Sequence, residues 1–154
     1  MSDKRNNVFV LDDGTREIIV NNNFGEEICK LHIRSGDLSI MDRYKELMKE
    51  YPDIIAPLAS LHMEDDGSSD IDSEWEVIKG VEAKLIEKID YVFGMRDAKK
   101  LFASRNAFSG IGGSFYIEKV LEMLGQVVAQ SIDEEGAKTR KRLEKYTKDI
   151  IQEE

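Results

Sequence analysis

Apolar and polar positions divide the chain into two regimes. Val8-Phe9-Val10-Leu11 is an unbroken apolar run, interrupted by Asp12-Asp13-Gly14 and followed by Ile18, Ile19 and Val20 within residues 16–21. Both stretches favour β structure, and the glycine between them tolerates positive φ, so the pattern predicts a hairpin. After the loop Asn22-Asn23-Phe24-Gly25, residues 27–34 alternate, with Cys29, Leu31 and Ile33 on one face and Ile28, Lys30, His32 and Arg34 on the other. Together these runs predict a three-stranded antiparallel meander over residues 7–34 with one buried face. Three such strands cannot close a barrel, so that face needs helices to cover it.

Beyond Gly36 the apolar period lengthens from two to between three and four. Leu38, Met41, Tyr44, Leu47, Met48 and Tyr51 predict a first helix at about 37–51, with Ser39 and Asp42 in capping-box spacing and Pro52 and Pro57 after it. Ser73 and Glu76 repeat that spacing ahead of a stripe of Trp75, Ile78, Val81, Leu85, Ile89, Val92 and Phe93, which predicts a second helix over 73–93 ending at Gly94. Asp97 suits the start of a short helix, 97–104, and residues 106–113 are rich in turn formers. Ser114 opens a last helix, 114–150, whose stripe of Ile117, Val120, Leu121, Leu124, Val127, Val128 and Ile132 has core character. Leu143, Tyr146 and Ile150 continue it as a sparser seam, so the first half of this helix packs and the second projects. The expected class is α+β and mostly helical, a single domain over 1–154 with the meander packed on about four helices.

Charge changes this picture in two places. The formal net charge is −9, yet residues 64–76 hold seven acids and no base: Glu64, Asp65, Asp66, Asp70, Asp72, Glu74 and Glu76. With Gly67, Ser68 and Ser69 among them, residues 64–73 are expected to form a flexible acidic connector. Lys138, Arg140, Lys141, Arg142, Lys145 and Lys148, against Glu144 alone, make a basic patch around the seam of Leu143 and Tyr146. A solvated helix end is one reading of that patch, and a docking arm for a partner is the other. A sequence pI near 4.9 argues against tight general nucleic-acid binding. No apolar run approaches the roughly 20 residues that cross a bilayer, and Cys29 alone cannot form an internal disulfide, so a soluble intracellular protein is expected with no membrane partner. The helical stripes can cover the sheet or a second copy equally well, which leaves homo-oligomerisation open.

Catalytic machinery is sparse. His32 and His62 are the two imidazoles, and no nucleophile elbow or paired-histidine metal motif is present. His32 on the polar side of a strand suits a solvated or partly packed role, and Cys29 on the apolar face suits a buried, inert thiol. Asp70-x-Asp72-x-Glu74 begins like a calcium loop, but Trp75 stands where glycine is needed and Val81 where a carboxylate is needed. Gly110-Ile111-Gly112-Gly113 lacks the lysine of a phosphate-binding loop, and Gly110, Gly112 and Gly113 are expected to form a hinge before the last helix. No cofactor or metal is expected and no catalytic residue is assigned, although a site built from distant carboxylates stays open.

Several strings point further. Phe24-Gly25-Glu26-Glu27-Ile28-Cys29, Tyr91-Val92-Phe93-Gly94, the loop with Phe102, Asn106 and Phe108, and the tail Arg140-Lys141-Arg142-Leu143-Glu144-Lys145-Tyr146-Thr147-Lys148 resemble small proteins of phages and prophages of Gram-positive bacteria. The resemblance spans nearly the whole chain and points to the tail-morphogenesis region and the tail assembly chaperones. It implies a non-enzymatic protein in the cytoplasm of the bacterial host that binds the tape-measure protein or tail-tube subunits during tail assembly. On that reading Lys138, Arg140, Lys141, Arg142, Leu143, Lys145, Tyr146 and Lys148 form the partner-binding surface, together with the glycine hinge. The alternatives are a phage-encoded regulator that inhibits a host protein and a minor structural component of the virion.

Overall fold

The structure, a computed structural model, describes residues 7–61 and 71–152. It is α+β and mostly helical. Strands β1 (Arg16–Asn21) and β2 (Glu27–Ile33) form an antiparallel pair in which Ile18 faces Leu31 and Val20 faces Cys29. The Asn22 side-chain oxygen shapes the loop between them by accepting from the backbone N–H groups of Phe24 and Glu26, at 2.9 and 3.0 Å. As the alternation requires, Cys29, Leu31 and Ile33 are buried while the residues between them are exposed.

The third strand of the expected meander does not form. Among the described residues, 8–11 pair with nothing, and they are exposed, because the turn after them closes on itself: Asp12 Oδ1 accepts from Gly14 N and Asp13 Oδ1 from Thr15 N, both at 3.0 Å. These bonds turn the chain locally without laying 8–11 beside β1.

Three α-helices, rather than about four, lie among the described residues: α1 (Ile40–Ile55), α2 (Ile71–Phe93) and α3 (Tyr116–Gln152). The expected helix over 97–104 contracts to a 3₁₀ turn, Ala98–Phe102, and a second such turn, Ala56–Ser60, follows α1. Asp97 is drawn away from capping, since its carboxylate accepts from the His32 backbone N–H on β2 at 3.2 Å, and five residues are too few to sustain an α-helix. Helix α1 starts later than expected and runs through Pro52, and Ser39 makes no side-chain cap. Asp37 serves instead, its Oδ1 accepting from Ser39 N at 2.9 Å and its carbonyl from Ile40 N at 3.1 Å. Residues 71–73, expected in the connector, are the first turn of α2, where Asp72 and Glu74 sit favourably at the positive end of the helix dipole. The rest of the connector, 64–70, and His62 lie outside the described residues.

Helices α1, α2 and α3 and the inner face of the sheet share one core. Leu31 and Ile33 meet Leu47 of α1, Leu85, Ile89 and Phe93 of α2, and Ile117 and Leu124 of α3, all essentially inaccessible. Each such side chain contributes about 1.5–3 kcal/mol by leaving water. Tyr44 packs edge-on against Phe93, with ring centroids 6.3 Å apart. Gly94 ends α2 at φ +63°, with the Arg34 guanidinium so close over its Cα that a Cβ would lie 2.4 Å from Arg34 Nε. Glycine meets both demands at that point.

Candidate functional site

Helix α3 changes character along its length. Up to Val128 its stripe is buried in the core, and Ser131 is the last buried residue among those whose side chains are described. At that point a polar tie fastens the helix to the sheet: Ser131 Oγ donates to Ser35 Oγ at 2.7 Å, and Arg16 of β1 donates to Ser131 Oγ. From Ala137 to Lys148 every residue is exposed. This stretch is an arm, helical but uncovered.

The arm's faces differ. At 100° per residue, Gly136, Thr139, Leu143 and Tyr146 fall on one side, the side of the buried stripe nearer the root, with Arg140 and Arg142 flanking them. Lys138, Lys141, Lys145 and Lys148 recur at steps of three, four and three on the opposite side. Leu143 is 66% and Tyr146 53% exposed, large apolar surface that a solitary helix leaves in water. With Gly136, Thr139, Arg140 and Arg142 they line a shallow hollow of about 520 Å³. Arg142 lies over the Tyr146 ring, 5.8 Å from its centroid, and fixes that ring at the edge of the seam. Lys138 approaches Glu135 at 3.9 Å, whereas Arg140, Lys141, Lys145 and Lys148 form no ion pair among the described residues. The arm thus offers an apolar seam framed by cations, of which Arg140, Lys141, Lys145 and Lys148 have no ion pair among the described residues.

The expected hinge lies elsewhere and is built differently. Gly110–Ile111 (β3) pairs with Ser114–Phe115 (β4), and Gly112 and Gly113, at φ +60° and +89°, make the two-residue turn between them. Two positive φ values in succession are what a tight hairpin turn demands. The ribbon is docked, since Tyr116 N donates to Ser109 O and Ile117 N to Ala107 O, both at 2.8 Å, and Phe108 packs edge-on against Phe115 at 5.6 Å. It stands at the start of α3. Twenty-two residues separate Tyr116 from Lys138, about 33 Å of helix at 1.5 Å per residue, so hinge glycines and basic arm do not form one surface.

A cleft that sequence reasoning missed lies where β2 meets the end of α2. It has a volume of about 720 Å³, and its charged lining includes Arg34, Arg43, Arg96, Asp13, Asp90 and Asp97. His32 spans Glu17 at 3.4 Å and Asp97 at 3.2 Å, and Arg43 pairs with Asp37 at 2.9 Å while donating to Val92 O at 3.0 Å. Burial, aided by the charge of Asp97, raises the Asp90 carboxyl above its usual range even though Asp90 accepts from Ala98 N. Among the charged lining residues Arg43 and Asp97 have ion-pair partners, and no group of three metal-ligating side chains converges among the described residues. Cys29 lies apart on the inner sheet face, its thiol pushed up by burial and so a poor nucleophile. The signal for the cleft was weak in sequence, because its residues come from four separate stretches of chain.

No known protein family, curated protein or solved structure matches this chain. None of the described helices is long and apolar enough to cross a membrane.

Proposed function

We propose that this chain is a protein-binding assembly factor of the phage tail chaperone type, acting in the bacterial cytoplasm and engaging tape-measure or tail-tube subunits through the arm of α3. One observation carries the binding mode: a helical stretch, 137–148, that is exposed throughout yet keeps an apolar seam with cations around it. An amphipathic helix of this kind docks its seam into an apolar groove, and its lysines and arginines select an acidic rim. The nature of the partner rests on the resemblance of the FGEEIC, YVFG and RKRLEKYTK strings to the phage proteins.

The test is co-purification of the tagged protein from prophage-induced cells, beside a variant with Lys141, Arg142 and Lys145 all changed to Glu. The wild type is expected to recover tape-measure or tail-tube protein. The variant is expected to lose at least tenfold in recovery while keeping its unfolding midpoint, since exposed substitutions away from packing change stability by about 0.5 kcal/mol or less each. Equal recovery by the variant would remove the arm from the proposal, and recovery of a host protein alone would replace the chaperone with an inhibitor of that protein.

A further inference from the structure

The two edges of the two-stranded sheet differ. On β2 two outward groups are taken: His32 N–H is bound by the Asp97 carboxylate at 3.2 Å, and Lys30 C=O accepts from Lys100 Nζ at 3.4 Å. Because His32 and Lys30 turn their backbone groups away from β1, their partners Glu17 and Ile19 turn theirs away from β2. No hydrogen bond reaches those outward groups of β1 among the described residues. Burial shows the same asymmetry, since Leu31 and Ile33 of β2 are fully buried whereas Ile18 and Val20 of β1 are partly buried at the margin of the core.

The chain also carries a strand with no sheet. Val8, Phe9, Val10 and Leu11 are 71–96% exposed, an apolar β-forming run such as folded proteins seldom leave in water. We propose that residues 8–11 add as a third, antiparallel strand to the open β1 edge of a second copy of this chain, in a reciprocal exchange that closes a two-fold dimer. The fit is specific. With Asp12 set against Arg16, opposite charges meet, Phe9 lies across from Ile19 on the outer face, and Val10 and Val8 extend the inner face beside Ile18 and Val20. The bonds within Asp12–Thr15 steer 8–11 away from its own β1, so donor and acceptor edge, both present in each copy, are satisfied between copies.

Sedimentation of the full chain over a range of micromolar concentrations, beside Val10→Asp, tests this. Val10 is 96% exposed, so the substitution leaves the folded monomer intact, as circular dichroism checks. The expected result is a dimer for the wild type and at least a tenfold weaker association for Val10→Asp, with the wild-type Phe9 and Ile19 amides, which face each other across the new pairing, protected from exchange only at dimer-forming concentrations. A wild type that stays monomeric, a dimer that survives Val10→Asp, or protection of the Phe9 amide in a monomer, which would place the strand on its own β1, each overturns the proposal.

Discussion

Changing Ser131 to alanine removes the centre of the tie between sheet and arm. Ser131 and Ser35 are 3% and 1% exposed, and their hydroxyls lie 2.7 Å apart. Alanine at 131 leaves the Ser35 hydroxyl buried without that partner and deprives Arg16 of its acceptor, though the largely exposed Arg16 can turn to water. Abandoning a buried polar group costs about 1–3 kcal/mol, and about 2 kcal/mol is expected here. Ser35→Ala is milder, at about 1 kcal/mol, because Ser131 still accepts from Arg16. The double variant removes both hydroxyls together and should cost no more than Ser131→Ala alone, leaving a coupling of at least about 1 kcal/mol. Urea unfolding followed by circular dichroism measures all three, and for a chain of this size 2 kcal/mol corresponds to roughly 4–8 °C in midpoint temperature. Additivity within about 0.5 kcal/mol, or a cost below that for Ser131→Ala, would refute the reasoning.

Two further substitutions probe buried polar groups. The Tyr51 hydroxyl is buried without a hydrogen-bond partner among the described residues, so Tyr51→Phe is expected to stabilise the fold by about 1 kcal/mol in the same unfolding assay, and a comparable loss would show that the hydroxyl is satisfied. The folded Asp90 carboxyl sits above its unfolded value of 3.8, so the fold binds the extra proton, and its stabilising contribution is present below 3.8 and lost as pH rises through the raised value. Asp90→Asn keeps an acceptor for Ala98 N–H and cannot ionise. It should therefore match or exceed the wild type at neutral pH, with the difference shrinking toward acid, and a deficit that is the same at every pH would contradict this.

Elements whose causes are local were legible in the sequence. The alternation of Cys29, Leu31 and Ile33 and the stripe from Ile78 to Phe93 specify their own buried faces, and the structure follows both closely. Elements that depend on a distant contact were not. Asp97 looks like a helix cap until β2 offers it the His32 N–H, and residues 8–11 look like a strand although the edge they suit is left empty. The apolar period predicts a first helix that stops ahead of Pro52, yet α1 continues to Ile55, and Ile54 is buried in the core. The basic arm was visible as composition, but the placing of its lysines opposite its seam required an unbroken helix through Gly136, a residue that helices tolerate at a cost of about 1 kcal/mol. The hinge glycines showed their positive-φ capacity in sequence but not the ribbon that uses it.

The arm's attachment to a packed helix also governs how it winds. A free twelve-residue peptide must nucleate its first turn against odds of about one in a thousand, and such short helices are marginal in water. In α3 the turns from Ile117 to Ser131 are already wound by the core, so each arm residue only propagates an existing helix. Winding then decays outward, strongest at the root and weakest toward Lys148. A partner that grips the tip receives a helix already started and loses little chain entropy in finishing it. The same linkage runs backward, so loosening the Ser35–Ser131 tie would unwind the arm from its root, with no change in any residue the partner touches.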